Sequence, residues 1–194
     1  MTQEPAQDVF SGLDSLTADG CFVALTEAPL DVNSVLQRVR SPKAGANVLF
    51  AGSTRDSFGD RAVATLRYAA YRPLALRTML SIARDIFAEH SLIGIAVVHR
   101  LGPVPIGEDS ILIAVSAAHR QAAWRAGEAC LERAKERVEV WKEEVFVGEV
   151  KVNDDGPAEG ESVWRANRDP TAGAPATAKT KTVPPIVQDG QDGS

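Results

Sequence analysis

Five cationic side chains on separate stretches of the sequence have the chemistry to bind one anion. His119 and Arg120 end an apolar run, Lys135 and Lys142 follow in a charged, alanine-rich segment, and Arg55 lies in an earlier glycine-punctuated segment. Imidazole, guanidinium and ammonium groups bind phosphate and carboxylate groups through charge-assisted hydrogen bonds. Together these residues predict a pocket for a phosphorylated or otherwise anionic substrate.

Each of these residues also has an ordinary structural interpretation. Lysines among glutamates are typical of a solvated helix face with ion pairs, so Lys135 and Lys142 alone indicate nothing specific. His119 and Arg120 also suit the surface of a helix N-terminus, and Arg55 suits an ion pair with a neighbouring aspartate in its loop. The functional interpretation therefore depends on the occurrence of all five cations in one sequence.

The elements around His119 explain why this position suits an anion. The run SILIAVSAA at 110–118 is rich in β-branched residues and predicts a strand, and the segment after it predicts a helix. Backbone N–H groups and the positive end of the dipole at a helix start attract negative charge. On one continuous helix, Lys135 and Lys142 would lie about 20° apart and roughly 10 Å along the axis. The β-branched cluster in VEVWKEEVFV favours a helix that ends near Val138, which places Lys142 on a strand that faces the helix.

Composition and charge exclude several classes of protein. The chain has 194 residues and a formal net charge of -5, so general binding to nucleic acid or acidic membranes is not expected. Two distant cysteines and three histidines argue against a disulfide framework, a redox dithiol or a metal site. The polar start and the lack of an apolar run near 18 residues argue against a signal peptide or membrane helix. The sequence therefore predicts a cytosolic protein without a bound metal.

The order of apolar and polar segments predicts one domain of the α+β (mixed α/β) class. Residues 1–20 and 170–194 are polar and are predicted to be disordered, which leaves a domain at 21–169. Several strands are joined by links too short for a crossover helix, so we expect mostly antiparallel strands packed by helices. Strands are predicted at 21–28, 47–51, 62–71, 93–102, 110–118 and 145–152, with a brief return at 163–169, and helices are predicted after Asp31, from Pro73 and after Arg120.

Three segments, by their order and spacing, resemble one protein family. VLFAGSTRDSFGD contains a G-x-x-R loop, HRLGPVPIGEDSILIAVSAAHR contains an HRLG strand end and an SAHR-type junction, and AKERVEVWKEE contains two lysines seven positions apart. Residues 21–151 resemble the large, catalytic subunit of molybdopterin synthase, with a weaker similarity at Trp164. The resemblance implies an α/β hammerhead-type fold and a dimer of large subunits.

The same resemblance implies a sulfurtransferase of molybdenum cofactor biosynthesis. In that family each large subunit binds a ubiquitin-like small subunit, giving a heterotetramer, and the small subunit's C-terminal Gly-Gly carries a thiocarboxylate. Two sulfur atoms pass to the substrate, cyclic pyranopterin monophosphate, and form the dithiolene of molybdopterin, with no bound cofactor. The implied catalytic pair is Lys135 and Lys142, which also contact substrate, and the other implied substrate-binding residues are Ser53, Thr54, Arg55, His119, Arg120, Glu143 and Glu144.

Two other functions stay open at this level. A non-catalytic scaffold that captures an anionic group or an acidic C-terminal tail would need a groove and one or two cations, whereas this chain has cations on three segments. A phosphate-ester hydrolase would need a metal-ligand cluster or a nucleophile with its base, and neither is evident in the sequence. The distribution of cations favours a small-molecule site shared with a tail.

Overall fold

Two β-sheets and three helices make up the part of the chain that the structure describes. The computed structural model describes residues 14–147 and 162–166. The helices are α1 (Val32–Val39), α2 (Arg72–Glu89) and α3 (Arg120–Arg137). The strands are β1 (Asp14–Ala18), β2 (Cys21–Thr26), β3 (Ala46–Ser53), β4 (Ser57–Phe58), β5 (Arg61–Ala70), β6 (Gly94–Arg100), β7 (Gly102–Pro105), β8 (Asp109–Ala117), β9 (Val140–Phe146) and β10 (Ser162–Ala166).

The first sheet is covered by helices on both faces. Its order is β1-β2-β6-β8-β3. Along β2, Val23 and Leu25 pack in one cluster with α2 and α3, while Phe22 and Ala24 between them pack in a second cluster with α1. Because side chains alternate along a strand, a strand buried on both faces has to be largely apolar, as β2 is from Cys21 to Leu25. This double burial makes the first sheet the rigid centre of the domain.

The chain enters the second sheet directly after α3 ends. Its order is β10-β9-β5-β4, and β7 also pairs with β5. Helix α3 ends at Arg137, its C-cap Val138 is already extended, and β9 begins at Val140. The predicted helix end near Val138 is therefore confirmed. The short link carries the chain directly from a helix packed on the first sheet into the second sheet.

The predicted α+β class is confirmed, and so is its mostly antiparallel pairing. Of the strand pairs in the described residues, only β2 with β6 is parallel. The predicted helices are present, with Asp31 as the N-cap of α1 and Pro73 in the first turn of α2. The Asp31 carboxylate accepts hydrogen bonds from the N–H groups of Asn33 and Ser34, which stabilises the helix start.

Three boundaries predicted from the sequence are wrong. Residues 14–18, within the segment predicted to be disordered, form β1, because Asp19 and Gly20 both have positive φ and close a hairpin onto β2. The proline-rich segment after Leu101, predicted as a loop, forms β7, which tolerates prolines at a sheet edge. Strand β9 begins at Val140, in agreement with the strand expected to carry Lys142 after Val138, so the strand start predicted at residue 145 is five residues too late. Predictions for residues 1–13, 148–161 and 167–194 lie outside the described residues.

Two glycines give a matched pair of expected stability changes. A Cβ on Gly45 would lie 2.4 Å from the carbonyl oxygen of Ala118, so Gly45→Ala should destabilise the fold by about 2 kcal/mol. A Cβ on Gly127, inside α3, would meet only Val48 Cγ1 at 3.7 Å, so Gly127→Ala should stabilise the fold by about 0.5 kcal/mol. Urea denaturation of both variants measures the two changes, and equal effects would contradict the close approach at Gly45.

Candidate functional site

A cavity of about 410 Å³ lies among β3, β5, β9 and α3, with its floor on the first sheet. This volume is within the range of sites that hold small molecules. Phe50, Leu66 and Ile111 are among the apolar side chains that line its interior. Its polar lining includes Ser53, Arg55, Lys135, Lys142 and Glu144. An apolar interior with a few charged groups suits a ring compound that carries an anionic substituent.

Three cations from three different segments line this cavity. Arg55 comes from the link between β3 and β4, Lys135 from the last turn of α3, and Lys142 from the middle of β9. The predicted convergence of the two lysines across the junction from helix to strand is therefore confirmed. Although the whole chain carries a formal net charge of -5, the cavity gathers positive charge locally.

A buried carboxylate accompanies the second lysine. Glu144 is only 2% exposed, and its Oε1 lies 3.1 Å from the Nζ of Lys142. The same ammonium group lies 5.9 Å from the ring centroid of Phe58, on β4. Burying a charge is costly unless it is paired, so Glu144 and Lys142 stabilise each other's charged forms. Glu144 thereby fixes the ammonium group at the cavity wall.

The link that carries Arg55 is tied to the turn between β7 and β8. The N–H of Thr54 donates to the Glu108 carbonyl oxygen at 2.9 Å, and the N–H of Gly107 donates to the Thr54 carbonyl oxygen at 2.9 Å. The Ser53 hydroxyl donates to Asp109 Oδ1 at 2.6 Å. These bonds on both sides of the link hold it in place, so that Arg55 is positioned before any ligand binds.

Two residues assigned to substrate binding by resemblance do not line the cavity. Thr54 is 3% exposed and lies beneath its loop, where its backbone rather than its hydroxyl makes the hydrogen bonds. Glu143 lies on the opposite face of β9 from Lys142 and Glu144, where it faces Arg67 at 3.8 Å. Side chains alternate between the two faces of a strand, so Glu143 and its neighbour Glu144 lie on opposite faces of β9.

His119 and Arg120 lie apart from this cavity within one chain. They line a separate surface depression with Gln121, Trp124 and Arg125, at the start of α3. His119 is the N-cap residue by its backbone geometry, but its side chain makes no capping hydrogen bond. The expectation that all five cations surround one pocket is therefore wrong for a single chain, because Lys135 lies in the last turn of this helix and Lys142 lies on the strand after it.

The cavity also reaches a buried histidine. His99 is the residue before the last in β6, and its Nδ1 lies 2.8 Å from the carbonyl oxygen of Arg100, to which it donates as a neutral ring. The ring of Tyr68 meets it edge-on, with centroids 5.0 Å apart. Burial lowers the pKa of His99 to about 4, against the opposing effect of the backbone hydrogen bond. The HRLG strand end thus places a neutral imidazole, that of His99, in the cavity lining.

This histidine should make the fold sensitive to acid. His99 is neutral when folded and has a pKa near 6.5 when unfolded, so the unfolded chain binds more protons between about pH 6.5 and 4. The resulting stability is present above pH 6.5 and is lost as the pH falls, by up to about 3 kcal/mol at pH 4. Urea denaturation at several pH values measures this slope, which His99→Gln should reduce. An unchanged slope would contradict the assignment.

Sequence reasoning missed several residues at the site. Phe58 and His99 line the cavity, but in the sequence both look like ordinary core residues. Arg165 on β10 approaches Glu144, but in the sequence it follows a loop-like segment. Only the pairing of β10 with β9, Arg165 opposite Lys142, brings that arginine to the site. Trp141 and Trp164 are 44% and 53% exposed on the outer face of the same two strands.

The described residues contain neither a cluster suited to a metal ion nor a helix suited to cross a membrane. No group of three or more histidine, cysteine, aspartate or glutamate side chains in residues 14–147 and 162–166 has the arrangement of a metal site. None of the three described helices is long and apolar enough to cross a membrane.

Comparisons with known proteins agree on one family. The family model described as MoaE protein matches residues 25–137. A protein of Pyricularia oryzae named molybdopterin synthase catalytic subunit is 51% identical over 193 residues, which cover 100% of this chain and 98% of that protein. One of Neurospora crassa with the same name is 58% identical over 158 residues, covering 81% of this chain and 72% of that protein.

A solved structure supports the same relationship. The crystal structure of molybdopterin synthase from Staphylococcus aureus matches with a TM-score of 0.64 and 31% identity, over 73% of this chain and 94% of that one. The match with the Pyricularia oryzae protein spans 100% of this chain and so includes the charged residues that line the cavity. The chain therefore belongs to the MoaE protein family, that of the molybdopterin synthase catalytic subunits.

Proposed function

We propose that this chain is the catalytic subunit of a molybdopterin synthase and works in the cytosol. It transfers sulfur from the thiocarboxylated C-terminus of a ubiquitin-like small subunit to cyclic pyranopterin monophosphate. In each transfer the thiocarboxylate sulfur bonds to a carbon of the precursor as a carbon–oxygen bond at that carbon breaks. The displaced oxygen leaves as water in one transfer and stays on the phosphate, as the cyclic ester opens, in the other. Water then cleaves the bond between sulfur and the tail's carbonyl carbon. The tail leaves as a carboxylate, and two such transfers complete the dithiolene of molybdopterin.

The observation that carries this proposal is the meeting of Arg55, Lys135 and Lys142 around one partly apolar cavity. A pterin ring suits the apolar lining, and its cyclic phosphate suits a guanidinium group. Sulfur transfer moves negative charge onto the precursor and the tail, and ammonium groups already held in place stabilise that charge without reorganisation. We therefore assign Arg55 to substrate binding and the two lysines to catalysis.

His119 and Arg120 fit the same reaction if two large subunits pair. Both side chains are exposed at the start of α3, next to Trp124, which is 64% exposed. A large exposed aromatic residue beside cations is typical of a surface that meets a partner. We propose that these two residues reach the precursor bound in the cavity of a second copy, so that each site draws on both subunits of the dimer.

The scaffold function remains the second candidate. A domain that only captures an anionic tail would use the same cations without needing both lysines at one cavity. The tight pairing of Lys142 with buried Glu144 favours catalysis, because simple capture of a tail does not require a lysine to be held by its own carboxylate. A functional assay separates the two candidates directly.

The test of the proposed function is a single-turnover assay. Purified protein is mixed with a thiocarboxylated small subunit and cyclic pyranopterin monophosphate, and molybdopterin is detected as its oxidised fluorescent derivative. We expect product in the complete mixture and none when the small subunit ends in an ordinary carboxylate. A stable complex that forms no product would support the scaffold function instead.

A mixing experiment tests the shared site. Arg120→Ala should weaken precursor binding by about tenfold, because one charge-assisted contact to the phosphate is lost. At a low precursor concentration each variant alone should have little activity. When unfolded and refolded together, Arg120→Ala and Lys135→Ala should regain up to about a quarter of wild-type activity, since random pairing yields mixed dimers with one intact site. No recovery from mixtures that contain mixed dimers would place both residues at a single-chain site.

A further inference from the structure

Arg165 lies next to three residues that line the catalytic cavity. It lies on β10 directly opposite Lys142 on β9, so both side chains lie on the same face of the second sheet. Its Nη2 is 3.9 Å from Glu144 Oε2, and its guanidinium carbon lies 4.8 Å from the ring centroid of Phe58. Arg165 does not itself line the cavity, whereas all three of these neighbours do.

The carboxylate of Glu144 is thus shared by two cations. Lys142 lies 3.1 Å from Oε1. Oε2 is buried and has no hydrogen-bond partner among residues 14–147 and 162–166, and Arg165 is a positive charge near it. A carboxylate that is 2% exposed needs compensation at both oxygens, since burial removes its water. If Lys142 were the sole counter-charge, the attraction would hold its ammonium group more tightly against Glu144.

We infer that Arg165 is a positioning residue, which shares the charge of Glu144 and so keeps the Lys142 ammonium group available to the cavity. Its contact with Phe58 extends this effect to the hairpin of β4 and β5, which forms part of the cavity lining. Arg165 therefore acts through Glu144 and Phe58 rather than on the substrate. The turnover part of the test rests on the proposed function, and the labelling part does not.

The chain offers a matched control on the opposite face of the same sheet. Arg67 lies 3.8 Å from the buried Glu143, as Arg165 lies 3.9 Å from the buried Glu144. Both arginines are partly exposed, with side chains 58% and 42% accessible. Arg67→Gln therefore removes a comparable ion pair without touching the cavity, and any general effect of losing an arginine from this sheet appears in both variants.

The first readout is the chemical reactivity of Lys142 without substrate. Limited acetylation with acetic anhydride, followed by peptide mass spectrometry, gives the ratio of modification at Lys142 to that at Lys135. The anhydride has to reach the lysine nitrogen, so a side chain held more tightly against the Glu144 carboxylate reacts more slowly. Arg165→Gln should lower the ratio about threefold, the scale of a partly exposed ion pair, while Arg165→Lys should restore most of it.

The second readout is turnover with the thiocarboxylated small subunit. Arg165→Gln should lower kcat about threefold and leave KM for the precursor unchanged, because Arg165 acts on the catalytic lysine and not on the bound substrate. Arg165→Lys should recover most of kcat, and Arg67→Gln should match the wild type.

The two readouts separate the possible outcomes. An unchanged labelling ratio in Arg165→Gln, or an equal fall in Arg67→Gln, would overturn the inference. A rise in KM without a change in kcat would overturn it as well, since it would make Arg165 a substrate contact. If the labelling ratio falls as expected but the wild type forms no product, the link between Arg165 and Lys142 stands and the proposed function fails.

Discussion

Lys135→Ala is expected to abolish product formation, with a loss of at least about 100-fold in single turnover. The lysine lies in the last turn of α3 and lines the cavity, where its ammonium group can stabilise the charge that develops during sulfur transfer. The side chain is partly exposed, so its truncation should leave the free energy of unfolding within about 0.5 kcal/mol of the wild type. The turnover assay and urea denaturation measure the two effects separately.

The control for this variant is Lys43→Ala. Lys43 is exposed in the link between α1 and β3 and does not line the cavity, so its loss removes one positive charge at a distance. We expect unchanged activity there. A folded Lys135→Ala protein with substantial activity would contradict the catalytic role, and a protein that fails to fold would show that Lys135 supports the structure instead.

The sequence predicts the relative position of the two lysines better than that of the other cations, and the reason is physical. Lys135 and Lys142 are close in sequence and separated by a helix end that the β-branched cluster after Arg137 already indicates. Their convergence follows from local rules. The separation of His119 from Lys135 also follows from the helix, because a helix of 18 residues spans about 27 Å. The expectation that all five cations surround one pocket did not take this length into account.

The sequence alone does not predict which distant strands pair, or in which register. Arg165 reaches Glu144 only because β10 returns to pair with β9 in one particular register, and a shift by one residue would turn Arg165 to the outer face. The same alternation moves Glu143 out of the site that its sequence neighbours occupy. In contrast, the Asp19-Gly20 turn that creates β1 was visible in the sequence as a hairpin signal.

The pairing of Lys142 with Glu144 leads to the second large effect. Lys142→Met should abolish product formation, and it should also destabilise the fold by about 2 kcal/mol, because it leaves the Glu144 carboxylate buried without its 3.1 Å partner. The loss of stability thus comes from the residue left behind. Urea denaturation and the turnover assay report the two consequences independently.

Adding Glu144→Gln to this variant separates stability from catalysis. The neutral amide removes the uncompensated charge, so Lys142→Met/Glu144→Gln should recover most of the lost free energy of unfolding while product formation stays absent. Such non-additivity in stability is the signature of a directly coupled pair. Additive stability losses would mean that Glu144 is compensated mainly by other groups. Recovered activity would mean that Lys142 serves only to balance Glu144, and catalysis would then rest on Lys135.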